Sequence, residues 1–171
     1  MMFSIFRQTL PETDREGRRA AERAASLSLV REVFGEEAEL LHHPDGAPWI
    51  PQAPAGTVYS LSHSARECVL VVARGVMAIG IDIETPRPQL MRVSRKFLSE
   101  NERGFIPADD ISLLLKAWTA KEAVYKAART PGLPLADIEI VPGFNHAHAL
   151  GHTYALHYPE PGTCVAVLIF S

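Results

Sequence analysis

The change of period within Met77–Lys126 constrains the fold more than any other feature of the chain. Ile79, Ile81 and Ile83 alternate with Gly80, Asp82 and Glu84, the pattern of a strand whose isoleucines enter a core while two carboxylates share the other face. At Trp118-Thr119-Ala120-Lys121-Glu122-Ala123-Val124-Tyr125-Lys126 the period becomes helical, and Glu122 and Lys126, four apart, are neighbours on one face. A chain that places acids on a strand and then an acid and lysines on a helix is a mixed α+β protein whose strand and helix can build one polar site.

The rest of the chain continues this alternation. Residues 13–35 read as a helix: Thr13 and Glu16 have capping-box spacing, Ala20, Ala24, Leu27, Val30 and Phe34 recur at helical intervals, and Gly35 ends the run. The other side of this helix is basic, with Arg15, Arg18, Arg19 and Arg23 interspersed with Glu16 and Glu22; it is either a phosphate-facing surface or a solvated one. From Leu40 to Thr57 the recurring prolines and glycines exclude a long helix or a central strand and leave an ordered loop. Strands at 58–62, 67–73 and 76–84 then read as a meander. Helices follow at 90–97, at 99–105 with Ser99 as cap and Glu102 third in, and at 111–128 with Asp109 or Asp110 as cap. Strands at 135–141, 152–158 and 163–170 form a second meander.

Cys68-Val-Leu-Val-Val-Ala and Cys164-Val-Ala-Val-Leu-Ile resemble each other. The chain therefore divides into two similar helix-plus-antiparallel-sheet halves, 1–84 and 85–171, with a cleft between them as the natural ligand site. Such halves would let a monomer complete its own cleft.

A net charge of -3 over 171 residues gives no general argument for nucleic acid or an anionic membrane. The apolar start is interrupted at Arg7, no run reaches the ~20 residues that span a bilayer, and the expectation is a cytoplasmic protein. Cys68 and Cys164 each lie inside an apolar run, as small buried strand residues in a reducing compartment do.

Asp82, Glu84 and Glu122 are hard oxygen donors with no cysteine among them, a set suited to Mg²⁺ held against substrate phosphates. Lys121 and Lys126 can offset phosphate charge beside the metal, because phosphoryl transfer depends on positioning and charge stabilisation. Ser62-His63-Ser64, at a strand end, offers two hydroxyls and a ring N–H for a phosphate. No nucleophile elbow surrounds either serine, so they are not read as nucleophiles. His146, His148 and His152 fall on an expected loop without a nearby carboxylate, which is a poor setting for a metal site.

With these residues in view, the chain resembles the 4′-phosphopantetheinyl transferases, in particular their pseudodimeric class. The family pattern of a G-I-D stretch followed downstream by W-[S/T]-x-K-E-x-x-x-K stands here as Gly80-Ile81-Asp82-Ile83-Glu84 and Trp118 to Lys126. Ser62-His63-Ser64, Lys96-Phe97-Leu98-Ser99 with Glu102, and Gly132-Leu133 are similar to supporting motifs, so the resemblance covers residues 18 to 140. It implies an enzyme of the holo-[acyl-carrier-protein] synthase type that moves 4′-phosphopantetheine from coenzyme A to a serine of an acyl or peptidyl carrier protein and releases 3′,5′-ADP. Carried over, it implies Mg²⁺ on Asp82, Glu84 and Glu122, phosphate contacts from Lys126 and Lys121, and the 3′-phosphate on His63 with Ser62 beside it. Glu122 or Glu102 would accept the serine proton.

One departure stands out. Where the family has G-K-P, this chain has Gly46-Ala47-Pro48, which leaves Arg23 or another N-terminal arginine to supply the missing cation. The segment from Arg87 to Lys96 carries Arg87, Arg92, Arg95 and Lys96 and no acid, with Met91 and Phe97 as apolar contacts, and suits docking of an acidic carrier. The alternatives are a non-catalytic carrier- or coenzyme A-binding module of the same fold, or another Mg²⁺-dependent phosphotransferase.

Overall fold

The computed structural model describes residues 3–170. Its elements run β1 (Phe3–Thr9), α1 (Arg15–Phe34), β2 (Leu41–His42), β3 (Pro48–Trp49), β4 (Thr57–His63), β5 (Glu67–Arg74), β6 (Ala78–Ile83), α2 (Gln89–Phe97), α3 (Ile111–Ala128), β7 (Glu139–Ile140), β8 (His146–Ala149), β9 (His152–His157) and β10 (Thr163–Leu168). They form a mixed α+β fold with two antiparallel sheets, β1-β5-β4 and β6-β10-β9-β8-β7, and a small β2-β3 hairpin.

The side-chain alternation of the two central strands stacks these elements into four layers. On β5, Cys68 and Leu70 pack with Ala25, Leu29 and Val30 of α1, while Val69 and Val71 face the other sheet. On β10, Cys164 and Ala166 pack under α3, while Val165 and Val167 meet Val69, Val71, Ile79, Ile81 and Ile83 in the central layer. The likeness of the two Cys-Val runs thus has a physical basis, since each is an interior strand of its sheet, paired on both sides, and serves a helix on one face and the opposing sheet on the other. Both cysteines are free and buried.

Three readings change. The meander over 58–84 is a hairpin only: β4 pairs with β5, but β6 pairs with β10, Asp82 opposite Cys164 and Gly80 opposite Ala166. A division after residue 84 therefore falls behind a strand that belongs to the C-terminal sheet. The cap of α1 is Asp14, accepting from Gly17 N at 2.8 Å, and its buried stripe is Ala25, Leu29 and Val30 with Ala20 and Ala24 exposed. An alanine-rich helix presents two weakly apolar faces, and packing against β5 selects one of them. His146 and His148 lie on β8 and His152 on β9, not on a loop. Among the described residues no cluster of three or more His, Cys, Asp or Glu side chains is arranged to hold a metal ion.

Beyond these, β1 is an unanticipated edge strand paired with β5. The expected helix at 99–105 is a short 3-10 turn over Glu102–Gly104, with the anticipated reciprocal cap: Glu102 N donates to Ser99 Oγ at 3.2 Å and Ser99 N to Glu102 Oε2 at 2.8 Å. Among the described residues no helix is long and apolar enough to cross a membrane.

Candidate functional site

The site forms where α3 lies directly on β6. Gly80 makes this approach possible, because a Cβ there would overlap the Ala123 carbonyl oxygen and come within 2.8 Å of Ala127 N. Contact this close brings the polar face of β6 against the last turns of α3.

Asp82, only 8% exposed, accepts hydrogen bonds from Lys126 Nζ at 2.8 Å and Ser62 Oγ at 3.1 Å. Lys126 Nζ also donates to Ile81 O at 2.9 Å and Ser62 Oγ at 3.0 Å, so its three protons are all engaged. Ser60 and Ser62 of β4 accept from the Ile81 and Ile83 amides at 3.2 and 3.3 Å and satisfy the open edge of β6. Ser62 is thus a brace between the sheets and beneath Asp82 and Lys126.

Glu122 is half-buried, and among the described residues no group donates a hydrogen bond to its carboxylate. Burial and then the negative charge of Asp82 push its pKa up, with Glu84 adding to the effect; Lys126 and Arg87 pull it down. Glu84 stands just beyond β6, with one oxygen accepting from Thr85 N at 3.0 Å and the other paired with Arg87 at 2.9 Å. The Arg87 guanidinium lies 5.7 Å above the Trp118 ring, which itself meets Phe97 edge-on at 5.1 Å.

The expected metal ligands therefore gather in one region without forming a cage. Asp82 and Glu84 are engaged by Lys126 and Arg87, and these carboxylates do not converge into a three-ligand cluster. The donor chemistry nevertheless fits a hard divalent cation: all three groups are carboxylates, one lacks a partner, and two hold cations that a metal can displace.

Two expected site residues lie elsewhere. Lys121 and Glu102 are both 0% exposed, with Nζ to Oε2 at 2.7 Å. Lys121 also donates to the carbonyls of Leu135 and Ile138, and Glu102 Oε1 accepts from Ile140 N at 2.7 Å. Burial lowers the Lys121 pKa, and Glu102 opposes that shift. The pair clamps the 99–106 and 135–140 segments to α3, with every strong donor and acceptor engaged internally. The reason is helical phase: Lys121 and Lys126 are five residues apart, about 140° around the axis, so only one of them can face β6.

The Ser62-His63-Ser64 run also separates. Ser62 points to Asp82, Ser64 Oγ caps the following turn by accepting from Arg66 N and Glu67 N, and only His63 projects outward, 3.3 Å from Glu22 of α1. His63 lines a cavity of about 640 Å³ with Arg19, Arg23, Leu61, Gly46 and Pro48. A second cavity, about 450 Å³, shares Gly46, Pro48 and Leu61 and continues to Ser60, Tyr125, Lys126 and Arg129. The two lobes share these three residues as walls, one carrying the arginines of α1 on its lining and the other Lys126, while Asp82, Glu84 and Glu122 line neither. Arg23 thus lies in the lobe with His63, whereas Ala47, at the position of the expected lysine, lines the other lobe.

Sequence reasoning missed Asp45 and Arg129, whose 3.1 Å ion pair ties the turn to the end of α3. It also took Arg87 only as part of a docking segment, although the i,i+3 spacing from Glu84 was the available signal.

Residues 78–161 match the model of the 4'-phosphopantetheinyl transferase superfamily. This span contains Asp82, Glu84, Arg87, Glu122 and Lys126, whereas Arg23 and His63 lie outside it. No curated protein matches the chain.

Proposed function

We propose, from the premise that residues 78–161 are a domain of the 4'-phosphopantetheinyl transferase superfamily, that this protein transfers 4′-phosphopantetheine from coenzyme A to a serine of an acyl or peptidyl carrier protein. The family supports phosphopantetheine transfer in general. The observation that carries the fuller reading is the packing of α3 on β6, which brings Lys126 onto Asp82 with Glu122 in the field of both, next to a cavity that Lys126 lines.

In this reading Asp82, Glu84 and Glu122 hold Mg²⁺, which when bound supplies positive charge to the diphosphate of coenzyme A. Lys126, 29% exposed and already on Asp82, contacts the same phosphates by exchanging one of its internal acceptors. Arg19, Arg23 and His63 line the far lobe and suit the 3′-phosphate of the nucleotide. The carrier serine oxygen forms a bond to the phosphorus bearing pantetheine as the diphosphate bond breaks, and 3′,5′-ADP leaves. Of the two carboxylates considered as acceptor of the serine proton, Glu102 is sealed inside the protein, so the role falls to Glu122, directly or through water. Arg92, Arg95 and Lys96, exposed on α2 with Met91, form the surface for the acidic carrier.

The test is incubation with coenzyme A, Mg²⁺ and an apo carrier protein, followed by the mass of the carrier. Gain of phosphopantetheine by the carrier is the expected result, with Glu122→Gln lowering turnover by at least ~100-fold. Hydrolysis of coenzyme A without carrier loading refutes transfer, and full turnover by the variant refutes the role of Glu122.

A further inference from the structure

Arg87 occupies an unusual position for a surface arginine. Its guanidinium is held between Glu84, at 2.9 Å, and the face of Trp118, at 5.7 Å from the ring centroid. Its Nε is buried and among the described residues has no hydrogen-bond partner. The ion pair uses one side of a planar donor that can serve an anion with two parallel N–H groups. Three carboxylates, Asp82, Glu84 and Glu122, meet two cations, Lys126 and Arg87, so the cluster keeps one net negative charge. Arg87 also acts electrostatically on Glu122. It therefore neutralises, from one platform, part of the charge that would attract a cation.

We infer that Arg87 is a displaceable internal counter-ion that couples divalent-cation binding to binding of the anionic diphosphate donor; this rests on the cation reading proposed above. While Arg87 holds Glu84, a divalent cation must compete for that carboxylate. Once the cation takes Glu84, the guanidinium is free of its acid but still supported by Trp118, and its Nη2 is released as a donor. A diphosphate arriving at the cation then satisfies it. Each ligand removes a cost that the other would otherwise meet, so each raises the affinity of the other by the same factor. Arg87 is a positioning residue in this scheme, acting through Glu84 and through the seating of the donor. An exposed ion pair supported by an aromatic stack contributes modestly, which sets the expected change in cation affinity at about fivefold.

The experiment measures Mn²⁺ binding by titration calorimetry and water-proton relaxation, with and without coenzyme A, in the full chain and its Arg87→Gln and Arg87→Lys variants. The wild type is expected to bind Mn²⁺ weakly alone and more tightly with coenzyme A. Arg87→Gln should bind Mn²⁺ alone about fivefold more tightly and gain less from coenzyme A. Arg87→Lys, which keeps the charge but not the planar stack, should fall between the two, and it decides the matter if Arg87→Gln does not fold. A wild type that binds Mn²⁺ while both folded variants bind it no more tightly and keep full coupling overturns the inference alone. Absence of Mn²⁺ binding in every form, with or without coenzyme A, overturns the cation reading and this inference with it.

Discussion

Gly80→Ala tests whether the closeness of α3 to β6 makes the site. The added Cβ would lie 2.8 Å from Ala127 N, where ordinary contact begins at 3.4 Å, so that atom alone must retreat 0.6 Å, by 3.4 less 2.8, and the Ala123 carbonyl must retreat further. Both belong to helix backbone in a close-packed layer, which moves as a unit. The helix should shift by about 1 Å, costing about 1–3 kcal/mol as overpacking. For a chain of this size that is a loss of roughly 3–10 °C in Tm. The same shift carries Lys126 away from Asp82, now at 2.8 Å, and misplacement on this scale lowers transfer about 100-fold. Thermal unfolding and carrier loading measured on one preparation check both effects. Gly104→Ala, whose Cβ meets open space at an unrestricted backbone angle, is the control and should change neither. A Gly80→Ala protein with wild-type Tm and turnover would refute the reasoning.

Glu122→Gln should stabilise the cation-free protein even as it abolishes activity. Burial and Asp82 raise the Glu122 pKa, so between its unfolded value and the raised one the native state holds more protons than the unfolded state, and stability falls as pH rises through that window. The variant should lose this slope and gain about 1 kcal/mol at neutral pH in denaturant titrations; equal pH profiles would contradict the assignment. Glu102→Gln leaves the Lys121 ammonium buried without its counter-charge and should cost about 3–5 kcal/mol by chemical denaturation, whereas a near-neutral result would mean that the clamp is not structural. Reversing Arg92 and Arg95 to glutamate should raise KM for the carrier about tenfold, and more at low salt, with coenzyme A binding unchanged; carrier kinetics across ionic strength check this.

The sequence by itself determined what depends on neighbours along the chain. Period placed β6 and α3, and α3 begins and ends where its residues allow, with Asp110 accepting from Leu113 N at 3.0 Å and Arg129 closing the last turn. The motif within these elements singled out Asp82, Glu122 and Lys126 as candidates, and their nearness was legible because a strand face and an i,i+4 pair follow from bond geometry. Helical phase also contained the separation of Lys121 from Lys126, although the motif invited a shared role. Tertiary structure alone decided the rest. Strand pairing is non-local, and nothing in residues 78–83 indicates that they join β10 rather than β5. The burial of Glu102 with Lys121 and the hold of Arg87 on Glu84 likewise depend on which surfaces meet. A carboxylate near a lysine in sequence is a ligand, a base or a clamp according to the dielectric and partners that folding puts around it. Here folding sealed one acid and lysine together in the interior and left the other pair partly exposed, with its lysine on the wall of a cavity.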